Sequence, residues 1–397
     1  MDSKAIRLAD RARVAQLAAE ISRLQAELDP HQKRLDDYTY PVLSIPTEIV
    51  SEILIQCLPP YPECPPLKGP SSPMCLTQIC RQWREIALTT PKLWRAIPLR
   101  LKAIRREEDI VPLWLQRSGI QPLSIQMESG DFEGAWLSAA TLRALRECQN
   151  RWEHVNLALA DSELGRIEGP MPLLRSLSLK MYNFARTERP VSTAVDFPRL
   201  RTFTVDRLIY VGDWAPWSQL ACLTLQRVAP SQYLSHLQTA VNLVHLTILD
   251  CTETGLTHVH DPLPNTIELP HLETLVLVDS DEQATFPHSF RIFKLPSLRT
   301  VQLPAPWLGQ WPVDEFTSFM TKCGCIGNLQ KLVLAGKRTG WAMKEPEFRG
   351  SFPELPEITF CGIYDRRHEE RFDLRRWPQL EGPFVRSNSE WWYRLRR

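Results

Sequence analysis

One apolar pattern recurs nine times along this 397-residue chain, and it restricts the fold more than any other feature of the sequence. The pattern is apolar-x-x-apolar-x-apolar, as in Leu174, Leu177 and Leu179, and successive copies begin 20 to 31 residues apart. The final two-residue spacing is that of a β-strand with one apolar face, and a period of about 20–50 residues indicates stacked supersecondary units. The sequence therefore predicts stacked strands joined by return segments. The copies begin at Trp152, Leu174, Leu200, Leu220, Leu243, Leu272, Leu298, Leu329 and Leu355.

This pattern resembles the leucine-rich repeat, in which each repeat supplies one strand and one return segment. The resemblance implies an α/β solenoid over residues 151–364, with helical return segments at residues 231–240 and 314–322. The family places Asn or Cys eight residues after the first leucine, and only Cys251 fits, so the repeats are irregular. The alternative is a generic α/β core whose strands share a pattern.

The residues between the inward-facing apolar positions would line the concave face, which is the usual binding surface of a solenoid. They are mostly small and polar, with scattered charges of both signs. This composition is compatible with a protein ligand but identifies none. The candidate substrate-binding residues are Arg175, Arg201, Thr224, His245, Glu273, Arg299 and Lys331.

A pair of amphipathic helices is predicted ahead of the repeats. Apolar residues three and four apart indicate one helix over residues 47–57, which Pro59 and Pro60 end, and a second over residues 76–87, which Pro91 stops. Two helices this short cannot bury their apolar surface against each other alone. They must either pack on their own domain or offer apolar surface to a partner.

Residues 41–99, which contain these helices, resemble a small all-α F-box, in the variant common in large fungal F-box protein families. The resemblance is carried by fixed apolar, proline, cysteine and tryptophan positions across some fifty residues, and a long insert at residues 59–73 departs from it. The residues that match are Leu43, Ile45, Pro46, Glu48, Ile49, Ile53, Leu54, residues 79–84 (ICRQWR) and residues 91–94 (PKLW).

The F-box resemblance implies docking on the Skp adaptor subunit of a Skp–cullin–F-box ubiquitin ligase, while the repeat domain captures a protein substrate. The chain would then be a non-catalytic adaptor. The alternative is a binding scaffold outside any ligase, in which the helices only cap the solenoid. The residues expected to be shared between the F-box core and the Skp contact are Ile45, Pro46, Ile49, Ile53, Leu54, Ile79, Cys80 and Trp83.

Residues 1–40 are predicted to form a helix with an apolar seam of about three heptads. One interpretation is a coiled coil with a second copy or with a partner helix, and the other is a helix that folds back on the F-box. So short a seam is not stable without a partner surface, and we favour the second interpretation. Asp29 and Pro30 are expected to break or kink the helix. The seam residues are Val14, Leu17, Ile21, Leu24, Leu28 and Leu35, with His31 in the remaining position.

Two further segments flank the repeats. Residues 100–150 are expected to hold connecting helices and a first short strand near Leu123, and their basic start is followed at once by acidic residues, as on a solvated face. The tail at residues 365–397 is rich in arginine and tryptophan, which suggests stacking on nucleic acid or a cap over the last repeat. We favour the cap, because the ends of a solenoid need covering.

The composition excludes several classes of partner and compartment. The formal net charge is +1, so no overall field attracts nucleic acid or anionic lipid. No apolar run reaches the length of a membrane span, and the amino terminus is unlike a signal peptide. The ten cysteines lack a CxxC motif. We therefore expect reduced thiols, with Cys57 and Cys80 buried on apolar helix faces, and a cytoplasmic or nuclear location.

No catalytic or cofactor motif is present. The chain lacks the glycine-rich nucleotide-binding patterns, the GxSxG nucleophile pattern and the HExxH zinc pattern. The most metal-like run, at residues 258–261, has only His271 as a further nearby ligand and is interpreted as a solvated turn. The sequence therefore predicts no enzyme activity, no metal and no cofactor.

Overall fold

The structure is a computed structural model that describes residues 3–38, 41–100, 104–128, 138–160, 169–182, 195–207, 215–249, 266–278, 292–308, 312–336 and 345–362. The tail at 365–397 and the run at 258–261 lie outside these residues. The helices described are α1 (Ser3–Asp36), α2 (Thr47–Gln56), α3 (Pro73–Leu76), α4 (Arg81–Thr89), α5 (Ile104–Arg117), α6 (Ala139–Glu147), α7 (Leu234–Leu237), α8 (Pro312–Cys323) and α9 (Glu345–Ser351).

The strands described number fifteen, and eleven of them form one parallel sheet in the order β1-β2-β3-β5-β7-β8-β9-β11-β13-β14-β15. The others form two separate two-stranded ladders. The strands are β1 (Ala96–Arg100), β2 (Leu123–Glu128), β3 (Trp152–Ala160), β4 (Gly169–Pro170), β5 (Ser176–Tyr182), β6 (Val195–Asp196), β7 (Thr202–Asp206), β8 (Cys222–Gln226), β9 (His245–Leu249), β10 (Ile267–Glu268), β11 (Thr274–Val278), β12 (Phe293–Lys294), β13 (Thr300–Pro304), β14 (Lys331–Gly336) and β15 (Glu357–Gly362).

The nine apolar patterns lie on nine strands of the large sheet, from β3 to β15. Their central residues pair in register, since Leu177 lies opposite both Val155 and Phe203. Each of these side chains is buried, on the face that period-two alternation directs inward. The predicted combination of helices with a large parallel sheet is confirmed, and the arrangement is compatible with an α/β solenoid.

A repeated backbone pattern at the start of the strands holds this register. The carbonyl of Arg175 accepts hydrogen bonds from the N–H groups of Arg201 and Thr202 at 3.0 and 3.1 Å, and the carbonyl of Arg201 accepts from Ala221 and Cys222 at 2.8 and 2.9 Å. The residue before each strand is thereby aligned with its counterparts along one edge of the sheet. The same paired bonds recur at the carbonyls of Ala221, Val244, Glu273 and Arg299.

The sheet begins earlier in the chain than expected. Strand β1 starts at Ala96, inside the segment 41–99 that was predicted to be entirely helical, and it pairs with β2 over its whole length. Val50 and Leu54 of α2 belong to the same continuous core as Ile97 of β1. The helices and the sheet therefore share one hydrophobic core, which continues across the predicted boundary at residue 99.

Two tryptophans join the helices to the sheet. The indole of Trp94 packs edge-to-face against that of Trp114 of α5, with ring centroids 5.4 Å apart, and both rings are buried. The Trp94 N–H donates a 2.8 Å hydrogen bond to the carbonyl of Ala87 in α4. A buried indole with its N–H satisfied anchors the surrounding elements well. Helix α4 is thus fixed against the first strands.

The two predicted helical return segments are both present. Residues 231–240 contain α7, which is a single turn, and residues 314–322 lie within α8. At this end of the sheet, Phe316 of α8 contacts Phe348 of α9 and Phe352, with ring centroids 5.6 and 5.3 Å apart. These aromatic contacts close the core beside β14 and β15.

Helix α1 does not pack on the following helices, although the favoured interpretation of residues 1–40 had predicted that it would. It is continuous through Pro30, so the expected break is absent, and every described side chain from residue 6 to residue 38 is exposed. Leu17 is 41% exposed and Leu35 is 71% exposed. The prediction that α1 folds back on the following helices is therefore wrong, because such packing would bury its seam.

Candidate functional site

Helix α2 has two apolar faces with different surroundings. Val50 and Leu54 are fully buried, whereas Ile49 and Ile53 are 53% and 39% exposed. Ile49 and Ile53 are four residues apart and so lie next to each other on the outer side of the helix. The helix therefore needs only one of its apolar faces to build the core.

The predicted second helix is two helices separated by a turn. The Ser72 hydroxyl accepts from the N–H of Met74 at 3.2 Å and begins α3, and the Cys80 thiol accepts from the N–H of Trp83 at 3.4 Å and begins α4. Ile79 lies in the intervening turn and is 54% exposed, and Met74 is 41% exposed. The break therefore places two more apolar side chains in solvent.

The candidate Skp-contact residues divide into core and surface. Leu54 is buried and belongs to the core alone in this structure. Ile45 and Trp83 are half-buried and pack against the core, and Cys80 is half-buried at the start of α4. The indole nitrogen of Trp83 is buried, and no described residue accepts a hydrogen bond from it. Pro46 is exposed. We call the exposed large apolar side chains of this segment the outer residues: Ile49, Ile53, Met74 and Ile79. Met74 was not among the residues predicted from the sequence.

Exposed apolar residues are concentrated near the amino terminus. Fourteen of the eighteen large apolar side chains that are exposed among the described residues precede residue 80, and only Leu113, Ile120, Val241 and Ile326 follow it. Single exposed apolar residues are ordinary, but a concentration of them marks an interaction surface. Helices α1 to α4 are therefore the strongest candidate for a partner-binding region.

A groove of about 440 Å³ lies between α2 and α4. Its lining is mostly polar, including Glu48, Gln82 and Glu85, with the buried Ile86 as an apolar contribution. Arg81 and Glu85 form an exposed i,i+4 ion pair at 3.1 Å on the same helix. The groove lacks the apolar lining of a small-molecule pocket.

The insert at residues 59–73 packs on the outward face of the first strands. The Tyr61 hydroxyl donates a 2.8 Å hydrogen bond to Glu153, and the Ser124 hydroxyl of β2 donates a 2.6 Å bond to the carbonyl of Pro62. The Arg95 guanidinium lies 3.8 Å from the centre of the Tyr61 ring, in a cation–π contact. The insert thus packs against the sheet and does not cover the outer side of α2. No sequence pattern had indicated this position.

Burial under the insert changes the ionisation of two groups. Desolvation raises the pKa of Tyr61, and its hydrogen bond to Glu153 acts in the same direction. Desolvation lowers the pKa of His154 to about 4, with the Arg175 guanidinium adding to the effect and the Glu153 carboxylate opposing it. Both groups are therefore neutral near neutral pH.

The seven candidate substrate-binding residues occupy two positions on the outward face. Arg175, Arg201, Glu273 and Arg299 immediately precede strands, while Thr224, His245 and Lys331 lie on strands β8, β9 and β14. The three arginines are exposed, and the other four residues are half-buried. Arg175 also forms an ion pair with Glu153 at 3.0 Å, and Lys331 forms one with Glu357. The accessible part of the face is thus the arginine-containing edge at the strand starts.

The middle of the outward face is closed to solvent. Thr247, Val276, Gln302 and Val333 are neighbours in register on β9, β11, β13 and β14, and each is at most 6% exposed. Both amide atoms of Gln302 are buried, and neither has a hydrogen-bond partner among the described residues. A ligand would therefore reach the edge of this face more readily than its centre.

The ends of the central strands carry a charged cluster. Arg227 Nε donates a 2.9 Å hydrogen bond to Asp206 Oδ1, and Arg227 Nη2 donates to both carboxylate oxygens of Asp206. The backbone of Arg227 has a positive φ of 52°. Lys180 lies opposite Asp206 in register. Burial lowers the pKa of Lys180 to about 7, with Asp206 opposing the shift. This cluster fixes the strand ends and was not found from the sequence.

The described cysteines are all free, and their burial differs from the prediction. Cys57 and Cys75 are exposed and Cys80 is half-buried, whereas Cys323 and Cys325 are buried. The expected burial of Cys57 is wrong, because the buried side of α2 is formed by Val50 and Leu54 instead. Among the described residues, no group of His, Cys, Asp and Glu side chains is placed to hold a metal ion.

Comparisons with protein-family models, curated proteins and solved structures give no match for this chain. In the part of the chain that the structure covers, none of the helices has both the length and the apolar character needed to cross a membrane. The functional inference therefore depends on the sequence pattern and the geometry of the surfaces described above.

Proposed function

We propose that this chain is the substrate-recognition adaptor of a Skp–cullin–F-box ubiquitin ligase. Helices α2 to α4 dock on the Skp subunit, and the sheet binds a protein substrate. The observation that carries the proposal is the exposure of Ile49, Ile53 and Ile79 within the segment that resembles an F-box. These side chains are not needed by the core of their own chain, so they are available to a partner.

In this role the chain catalyses no reaction and only brings the substrate close to the ubiquitin-charged enzyme. Holding a substrate near the ubiquitin-charged enzyme raises the effective concentration of its lysines. The exposed arginines at the strand starts, Arg175, Arg201 and Arg299, are the substrate contacts that the structure favours. Because Glu153 and Glu273 lie on the same edge, we expect a substrate segment with charges of both signs.

A second candidate function is a binding scaffold outside any ligase. It is favoured by the shared core, in which Val50, Leu54 and Ile86 of the helices join Ile97 of the sheet. In this case the helices serve only to cover the first strand. The two candidates differ in whether the outer residues have a Skp partner.

Co-purification with a recombinant Skp subunit separates the two functions. We expect the wild-type chain to form a stoichiometric complex and Ile49→Asp to lose it, because an aspartate cannot be buried in an apolar interface. Ile326→Asp is the matched control, since Ile326 is also an exposed isoleucine, at 59%, but lies beyond α8. A wild-type chain that does not bind Skp, or an Ile49→Asp variant that binds as well as the control, would overturn the proposal.

The substrate surface is tested separately. The double change Arg201→Glu and Arg299→Glu should remove captured substrates while the Skp complex remains, because both residues precede strands of the sheet and lie outside α2 to α4. The measurement is affinity capture followed by identification of the co-purified proteins. Unchanged capture by the double variant would exclude this edge as the substrate site.

A further inference from the structure

Helix α1 is an extended surface helix whose apolar side chains have no cover from the described chain. It spans 34 residues, and all its described side chains are exposed. Helices in proteins gain most of their stability from packing an apolar face. An uncovered helix of this length therefore indicates a partner outside the chain.

The exposed apolar residues of α1 follow a heptad repeat. Val14, Ile21, Leu28 and Leu35 occupy its a positions, and Leu17 and Leu24 occupy d positions. These six side chains are 41% to 71% exposed and form one seam about 32 Å long, at 1.5 Å per residue. Pro30 falls at a c position, which faces away from the seam. The proline therefore does not interrupt the apolar seam.

We propose that α1 forms a parallel two-stranded coiled coil with α1 of a second copy of this chain. The first reason is the identity of the core residues: in parallel coiled coils, β-branched residues at a, here Val14 and Ile21, with leucine at d, here Leu17 and Leu24, favour two strands. A second copy supplies the same seam in the same register, as a two-fold symmetric dimer requires.

Charges beside the seam give the second reason. The g positions are Arg13, Glu20, Glu27 and Arg34. In an antiparallel pair centred on the seam, Arg13 would face the other Arg34 and Glu20 would face the other Glu27, so like charges would repel. In a parallel pair, Arg13, Glu20 and Glu27 face the uncharged e residues Ala18, Gln25 and Gln32 of the other helix. The parallel arrangement avoids the repulsion.

His31 occupies the remaining d position and interrupts the apolar seam. A polar residue in the core of a coiled coil lowers its stability and helps to specify its register. Within its own helix, His31 Nδ1 lies 2.8 Å from a guanidinium nitrogen of Arg34. His31→Leu should therefore lower the dissociation constant of the dimer.

The mass of the full chain in solution tests the dimer. Sedimentation equilibrium should give twice the 45.8 kDa of one chain. The double change Ile21→Asp and Leu24→Asp should give a monomer, while Ala19→Asp with Ala26→Asp, which adds the same charge at f positions, should remain dimeric. A monomeric wild-type chain, or equal behaviour of the two variants, would overturn the proposal.

Disulfide capture tests the orientation. Leu17→Cys should form an interchain disulfide on mild oxidation, because equivalent d positions face each other in a parallel pair. In the centred antiparallel pair Leu17 would face Leu28, so no Leu17→Cys disulfide would form. Ala19→Cys and the wild-type chain, which has exposed Cys57 and Cys75, are the controls. The dimer does not depend on Skp binding, so its failure would leave the proposed adaptor role intact.

Discussion

Tyr61 donates a 2.8 Å hydrogen bond to Glu153, a residue 92 positions later in the chain. Glu153 in turn pairs with Arg175 at the start of β5. This single carboxylate therefore connects the insert that follows α2 with the edge of the sheet where the exposed arginines begin.

Removing the Tyr61 hydroxyl should loosen the insert. Tyr61→Phe keeps the ring but loses a hydrogen bond to a charged acceptor, and we expect it to lower the free energy of unfolding by about 1.5–3 kcal/mol. Hydrogen exchange in residues 59–73 should rise in parallel. A double-mutant cycle with Glu153→Gln is the control. A coupling energy near zero would show that the bond contributes nothing in solution.

His154 should make the protein sensitive to acid. Its pKa is about 4 in the folded chain, against 6.5 for an unperturbed histidine, so between these values the unfolded state binds more protons. Stability contributed by the neutral imidazole is therefore lost as the pH falls from 6.5 to 4. His154→Gln should lose less stability than the wild type over this range in urea titrations. His271→Gln, which makes the same change at an exposed position, is the control for the substitution itself.

The strands could be predicted from the sequence because their evidence is local. The spacing of apolar residues in each copy, such as Leu246 and Ile248, predicts a strand with one buried face. The regular period of the copies predicts that these strands stack. The break between α3 and α4 was missed because Cys80, interpreted as an apolar residue, instead caps a helix. The docking of Tyr61 on Glu153 was missed because no local pattern encodes a contact over 92 residues.

The exposure of α1 shows a different limit of sequence reasoning. An apolar seam indicates that a helix will be covered, but the pattern is the same whether the cover is the same chain or another one. The short seam favoured packing within the chain, whereas the structure leaves Ile21 and Leu28 exposed. Only the fold of the other elements decides between these outcomes, because it determines which surfaces are already occupied.

Replacing Gln302 should stabilise the protein. Its amide oxygen and nitrogen are both buried and have no hydrogen-bond partner in the part of the chain that the structure describes, and such a group costs about 1–3 kcal/mol. Gln302→Met has similar length and no hydrogen-bonding group, so it should raise the free energy of unfolding within that range. Gln330→Met, at an exposed position beside β14, is the control and should change little. A destabilised Gln302→Met variant would show that the amide has a partner in solution.

Two adjacent residues of α2 should separate folding from partner binding. Leu54 is fully buried, so Leu54→Ala should cost about 2–5 kcal/mol of stability, the range for deleting a buried leucine. Ile53 is 39% exposed, so Ile53→Ala should cost much less but weaken binding to Skp. Thermal unfolding and Skp titration of both variants measure the two effects independently.

Other results for these two variants would contradict the assignment of Leu54 to the core and Ile53 to the partner surface. If Ile53→Ala lost as much stability as Leu54→Ala, the outer residues would be covered in the isolated protein and would not be available to a partner. If instead Ile53→Ala kept both stability and Skp affinity, docking would have to use other residues, and Ile49 and Ile79 would be the next to change. Because the two side chains have the same number of carbon atoms and lie one residue apart, their comparison isolates burial as the variable.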